Sequence, residues 1–161
     1  MGHRVAVLRG GLLQQVDTPR NLYDSPANEF VAGFIGSPAM NLREARLVPG
    51  GALLGDVPIP LSQETLDAAQ RSGLETVTLG LRPECFASSL DGVVRLQVTL
   101  VEELGADTYV YGHLPGDDPS GKPLVVRHSG RVSPSVGDTL RLDVVQGVEH
   151  IFHPDTGSRV K

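Results

Sequence analysis

The spacing of apolar and polar residues changes character once along this chain, near Asn41. Before it, two short apolar runs, Val5 to Leu8 and Leu12 to Val16, flank Gly10-Gly11, a pair that tolerates the positive φ angles of a tight turn, so a β-hairpin is predicted. Two helix starts follow. Thr18 can cap with Pro19 in the first helical position, and Ser25-Pro26 repeats the arrangement with Glu29 near the positive end of the helix. On the second helix Phe30, Val31, Phe34 and Ile35 share one face, until Gly36-Ser37-Pro38 ends it.

From Asn41 onward the period becomes two. Leu42 to Val48 and "ALLG" flank the turn Pro49-Gly50-Gly51, and Val77 to Leu81 runs into "RPE". Val94, Leu96, Val98 and Leu100 fall on one face of a further strand, and Thr108, Val110, Gly112 and Leu114 lie opposite Tyr109, Tyr111 and His113. "LVVRH" follows the loop "PGDDPSGK"; Leu140, Leu142 and Val144 point inward, and "HIFHPDTGSRV" reads as a closing hairpin. One segment breaks the pattern: in "SQETLDAAQRSG" Ser62 can cap a helix, Leu66 and Ala69 share a face, and Gly73 can stop it. The expected fold is therefore mainly β: a small closed or nearly closed antiparallel barrel of the oligomer-binding (OB) type with one inserted helix, preceded by a hairpin and two short helices.

Composition adds bounds. A chain of 161 residues supports one core with a modest extra piece, and 19 Gly with 12 Pro agree with many turns. No window is apolar and long enough to span a membrane, and no signal pattern opens the chain, so a cytosolic location is expected. The single Cys85 reads as a small buried residue. The net charge of -5, the absence of a basic cluster, the 4% aromatic content and the lack of Trp all argue against nucleic acid as a partner.

Four segments carry a resemblance: "RVAVLRGGLLQQVDTPRNLYDSPANEFVAGFIGSPAMNL", "LGLRPE", "LVEELGADTYVY" and "GDTLRLDVVQGVEHIFHPDTGSRV". In them the chain resembles the carboxy-terminal end of the ATP-binding subunit of sugar-importing ABC transporters of the maltose type, with relatives for glycerol phosphate. The weakly matching parts are Val48 to Glu75 and Pro115 to Pro123. The resemblance implies two parts: residues 1–37 as the last hairpin and helices of a nucleotide-binding domain, and 38–161 as a regulatory, transport-associated OB domain. It also implies that the Phe30, Val31, Phe34 and Ile35 face has lost its usual cover. Together with Val5, Val7 and Leu12, that face is expected to fold back on the barrel, pair between chains, or fray.

ATP and Mg belong, on this resemblance, to the parent subunit. A phosphate-cradling loop needs G-x-x-x-x-G-K-[ST], and the only Gly-Lys pair here, Gly121-Lys122, is followed by Pro123. No "LSGGQ" occurs, and His3 stands where relatives carry Asp. This chain alone is expected to bind no cofactor and to be no enzyme.

Arg82-Pro83-Glu84 matches the family's "RPE" and is the leading interface or regulatory candidate, against a plain structural turn with a local ion pair. Glu102, Glu103 and Asp107 form a second acidic candidate at a hairpin corner, where a solvated turn is the competing reading. His128, His150 and His153 lack the partners a metal site needs, and Asp117-Asp118 reads as an exposed loop tip.

The function expected from the resemblance is a regulatory and dimerisation module that tethers two ATPase subunits beneath a membrane permease, acting as a homodimer at the cytoplasmic face of the membrane. Two alternatives stand beside it: a sensor of a small sugar or oxyanion, and a single-strand nucleic-acid binder.

Overall fold

The computed structural model describes residues 3–130 and 132–161. Strands β1 (Val5–Arg9) and β2 (Leu12–Asp17) form the expected hairpin around Gly10-Gly11, both at positive φ, with a bulge between Val7 and Leu8. Helix α1 (Pro19–Asp24) starts at Thr18, whose hydroxyl accepts from the Asn21 N–H. Helix α2 spans Glu29–Phe34 and begins one turn later than Ser25-Pro26 suggests. Asn28 is its cap, its side-chain oxygen accepting from the Val31 N–H at 2.9 Å, while Ser25 closes α1 by donating to the Asn21 carbonyl.

The rest is antiparallel sheet. Strands β3 (Asn41–Val48), β4 (Gly51–Leu54) and β5 (Val57–Pro60) lead into α3 (Gln63–Ser72), capped by Ser62 and stopped by Gly73 in the left-handed conformation. Strand β6 (Thr76–Leu81), a 3-10 turn (Pro83–Cys85), β7 (Phe86–Ser88), β8 (Val94–Leu104), β9 (Asp107–His113), β10 (Leu124–His128), β11 (Thr139–Val144) and β12 (His150–Phe152) follow. One five-stranded layer runs β12-β6-β3-β4-β5 and the other β10-β9-β8-β11-β7. Their inner faces share one apolar core, in which Val77, Leu79, Val94, Leu96, Val110, Leu124 and Leu142 interdigitate. This is the mainly β, nearly closed barrel of OB type with its single inserted helix.

One predicted inward residue faces out. Val94, Leu96 and Val98 are buried, but a bulge between Val98 and Leu100 shifts the register, so Leu100 is exposed and Val101 packs on the core instead.

Asn41 closes the seam between the layers. Buried at the start of β3, its amide donates to the carbonyls of Leu81 (3.0 Å) and Val125 (2.8 Å) and accepts from the Val125 N–H (2.8 Å), so one side chain stands in for a strand pairing between β3 and β10.

The front segment is seated on the barrel. Val7, Leu22 and Val31 form a small core of their own with Phe30 and Ile35 against it, and Ala32 packs with Met40 and Phe152 of the barrel. Val7 and Val31 are sealed within the segment by each other and by Leu22, and Phe30 and Ile35 are half-buried. Phe34 stays exposed at 65%, stacked on Phe30 at 5.8 Å, and Leu8, Leu12 and Leu13 of the hairpin are exposed as well. A backbone stitch completes the seat: Glu29 N–H donates to Gly157 O (2.8 Å) and Arg159 N–H to Ala27 O (2.9 Å).

Candidate functional site

Four polar or charged residues are buried among the described residues: Asn41, Arg82, Glu149 and His150. Burying such groups is costly unless each is paired, so their positions mark where the fold has a specific task. Three of the four line one cleft of about 620 Å³, bounded by α1, the start of α3, the 3-10 turn and the hairpin that begins with β12.

Arg82 is the centre of this joint. Strand β6 delivers it to the turn, and Pro83 fixes the backbone that follows. Its guanidinium donates to the carbonyls of Tyr23 (2.7 Å), Ile35 (2.6 Å) and, at longer range, Ala32 (3.5 Å). These oxygens lie at the C-terminal ends of α1 and α2, where carbonyls have no partner within their own helix. One barrel side chain thus caps both helices of the front segment. The guanidinium also lies 3.8 Å from the centre of the Tyr23 ring, a cation–π contact, and the Tyr23 hydroxyl donates to Glu84. Burial, reinforced by the Glu84 hydrogen bond, pushes the Tyr23 phenol up to about 12. Burial also lowers the Arg82 pKa, with Tyr23 and Glu84 opposing the shift. Gly36 makes room for this contact: it sits at φ +115°, and a side chain there would meet the Arg82 guanidinium at 3.1 Å.

Glu149 anchors the opposite wall. Its carboxylate accepts from the Ser62 N–H (2.7 Å) at the start of α3 and from the Gly147 N–H (2.6 Å). Burial acts to raise its pKa, but the hydrogen bonds from Ser62 and Thr65 outweigh that and leave it lowered. His150 is driven the other way. Burial, then the positive charges of Arg159 and Arg82, lower it to about 4, so the ring is neutral at neutral pH, and its Nδ1 has no hydrogen-bond partner.

The sequence-derived candidates separate into two places. Arg82 and Glu84 meet at the joint, bridged by Tyr23. Glu102, Glu103 and Asp107 lie at the β8–β9 hairpin tip and do not line the cleft: Glu102 accepts from the Tyr111 hydroxyl (2.7 Å), and Asp107 stands 3.9 Å from Arg127 with both side chains about half exposed. The histidines are dispersed. His128 faces the Val132 carbonyl and His153 accepts from the Asp155 N–H, while His150 lies in the cleft. Sequence reasoning missed Tyr23, Glu149 and Asn41. The available signal was polarity at positions where a strand or helix turns inward.

The helices start at Thr18-Pro19, Asn28-Glu29 and Ser62-Gln63 with no glycine-rich loop before them, and Gly121 lies in a turn closed on the Asp118 carbonyl.

Comparison with known proteins extends this picture. Residues 36–86, from the end of α2 through the 3-10 turn, match the MalK OB fold domain. Over 99% of its length the chain is 44% identical to the diacetylchitobiose uptake system ATP-binding protein MsiK of Streptomyces coelicolor, covering 46% of that protein. It is 40% identical to the sn-glycerol-3-phosphate import ATP-binding protein UgpC of Ruegeria pomeroyi and 39% identical to UgpC of Escherichia coli, covering 43% and 44% of them. The chain spans just under half the length of the curated relatives it matches. Residues 36–86 thus match the MalK OB fold domain, and over nearly its whole length the chain is similar to part of the ATP-binding proteins of a diacetylchitobiose uptake system and of sn-glycerol-3-phosphate import.

Proposed function

We propose that this chain is the regulatory and dimerisation module of an ABC importer ATP-binding subunit, working with a membrane permease at the cytoplasmic face for the uptake of a carbohydrate or glycerol phosphate. The barrel, residues 38–161, tethers two subunits, and residues 1–37 belong to the nucleotide-binding side. ATP and Mg act elsewhere in the parent subunit, and this chain alone hydrolyses no ATP.

The observation that carries the reading is the Arg82 joint. One buried side chain caps both front helices, and the backbone stitch from Ala27 and Glu29 to Gly157 and Arg159 fixes them a second time. A displacement of the front helices must then move the barrel with them, which is what a module needs if it is to answer to the opening and closing of an attached ATPase. The exposed Leu12, Leu13 and Phe34 surface is the side on which the nucleotide-binding core would sit.

In this proposal Arg82 and Glu84 are the interdomain residues, and Glu102, Glu103 and Asp107 are the candidates for contact between barrels. Sedimentation equilibrium over a wide concentration range tests the tether, with self-association expected and weakened by Glu102→Lys paired with Asp107→Lys. A strictly monomeric chain at every concentration would refute it. Phosphate release by the purified chain would refute the division of labour.

A further inference from the structure

The cleft holds a charge the fold leaves unused. Arg82, Glu84 and Glu149 are each spent on internal partners. Arg159, half-buried on the same cleft, is not: among the described residues its guanidinium has no carboxylate at ion-pair distance and no hydrogen-bond acceptor. Burial lowers its pKa, and Glu64 only partly offsets this. Beside it lies the neutral His150 ring, more than nine-tenths buried and with its Nδ1 unpaired. A half-desolvated cation next to an unsatisfied imidazole is costly to maintain without a counter-group.

The remaining wall says what that counter-group resembles. Ala68, Val148, Ile151 and Val160 line the cleft, whose volume of about 620 Å³ suits a small organic molecule and exceeds the need of a bare ion. Asp24, Glu64, Glu84 and Glu149 line it too, against Arg82, Arg159 and Lys161, so a dianion meets repulsion, whereas a single negative charge can balance Arg159, the half-buried cation left without a partner. The planar guanidinium offers paired N–H groups at the spacing of a carboxylate. We infer that the cleft binds a small organic monocarboxylate, its carboxylate on Arg159 beside His150 and its body against Ala68, Val148 and Val160. Such a ligand would touch α3 and the β12 hairpin at once, and Tyr23 and Ser25 of α1 lie on the same cleft. Its occupancy would stiffen the joint. This inference stands apart from the tether, since it requires neither dimerisation nor an ATPase partner.

Isothermal titration of the whole chain with butyrate and with gluconate, chloride holding the ionic strength constant, tests it. Saturable single-site binding is expected, weakened about tenfold or more in Arg159→Gln and less in Arg159→Lys, which keeps the charge and loses the fork. The Arg159 backbone, not its side chain, makes the stitch to Ala27, so both variants keep the fold, as circular dichroism will verify. Inorganic phosphate should bind more weakly than either carboxylate. Heats that never saturate, equal affinity in Arg159→Gln, or tighter binding of phosphate each overturn the assignment.

Discussion

The Arg82 guanidinium takes up carbonyl oxygens that two six-residue helices cannot satisfy by themselves, and it does so from a position where water cannot replace it. Arg82→Ala should therefore cost about 3 kcal/mol in denaturant unfolding, because charge-assisted hydrogen bonds are lost and their acceptors stay buried. The same variant should speed amide exchange in α1 and α2 while that of β8 and β9 is unchanged; uniform acceleration would mean Arg82 is only a core residue. Arg82→Lys should recover part of the stability, since an ammonium cannot reach both helix ends and also stack on Tyr23. His150 gives a pH signature at the same scale. Its folded value of about 4 lies below the ordinary histidine value of 6.5, so the unfolded chain binds the extra proton between these two values. Stability attributable to His150 is fully present above the unfolded value and is lost as pH falls through that window, by at most about 3 kcal/mol. His150→Gln should flatten that slope, and an unchanged slope would show that other groups set it. Arg82 and Glu84 were legible as a turn of the right chemistry, but their destinations were not. Carbonyl oxygens are the same in every residue, so no sequence pattern marks Tyr23, Ala32 and Ile35 as acceptors.

Individual elements were read with more success than their junctions. Period-two alternation and turn glycines placed most of the barrel strands, and Ser62 with Gly73 bounded α3, because these signals are local. The misplaced start of α2 has a local cause as well. Ser25-Pro26 has the form of a cap, but Asn28, two residues beyond Pro26, competes and makes the hydrogen bond to Val31. The outward turn of Leu100 comes from a bulge that alternation cannot foresee. The seam between β3 and β10 depends on Asn41, which the alternation rule would have assigned to an apolar side chain. Asn41→Ala should cost about 2 kcal/mol or more, leaving the Val125 N–H and two carbonyls without their partner. Asn41→Leu should be no better, since shape without hydrogen bonds does not serve here; a stable, cooperatively unfolding Asn41→Leu protein would remove the seam from the account.

At the scale of the whole molecule the question is whether the barrel needs the front segment. The shared barrel core contains no residue before Ala45, and the front segment meets the barrel through Ala32, Arg82 and the backbone stitch. Deleting residues 1–36 should leave a folded barrel with native-like strand signals in circular dichroism, and should raise solubility by removing exposed Leu8, Leu12, Leu13 and Phe34. An unfolded remainder would show that the two parts form a single cooperative unit. The class of the fold was legible at this scale, whereas the seating of the front segment was not, since it rests on pairings between distant parts of the chain. Those pairings impose an order of events. Ala27 and Glu29 find these partners at Arg159 and Gly157, so the front helices are fully secured only after the hairpin that begins with β12 has been synthesised and has folded.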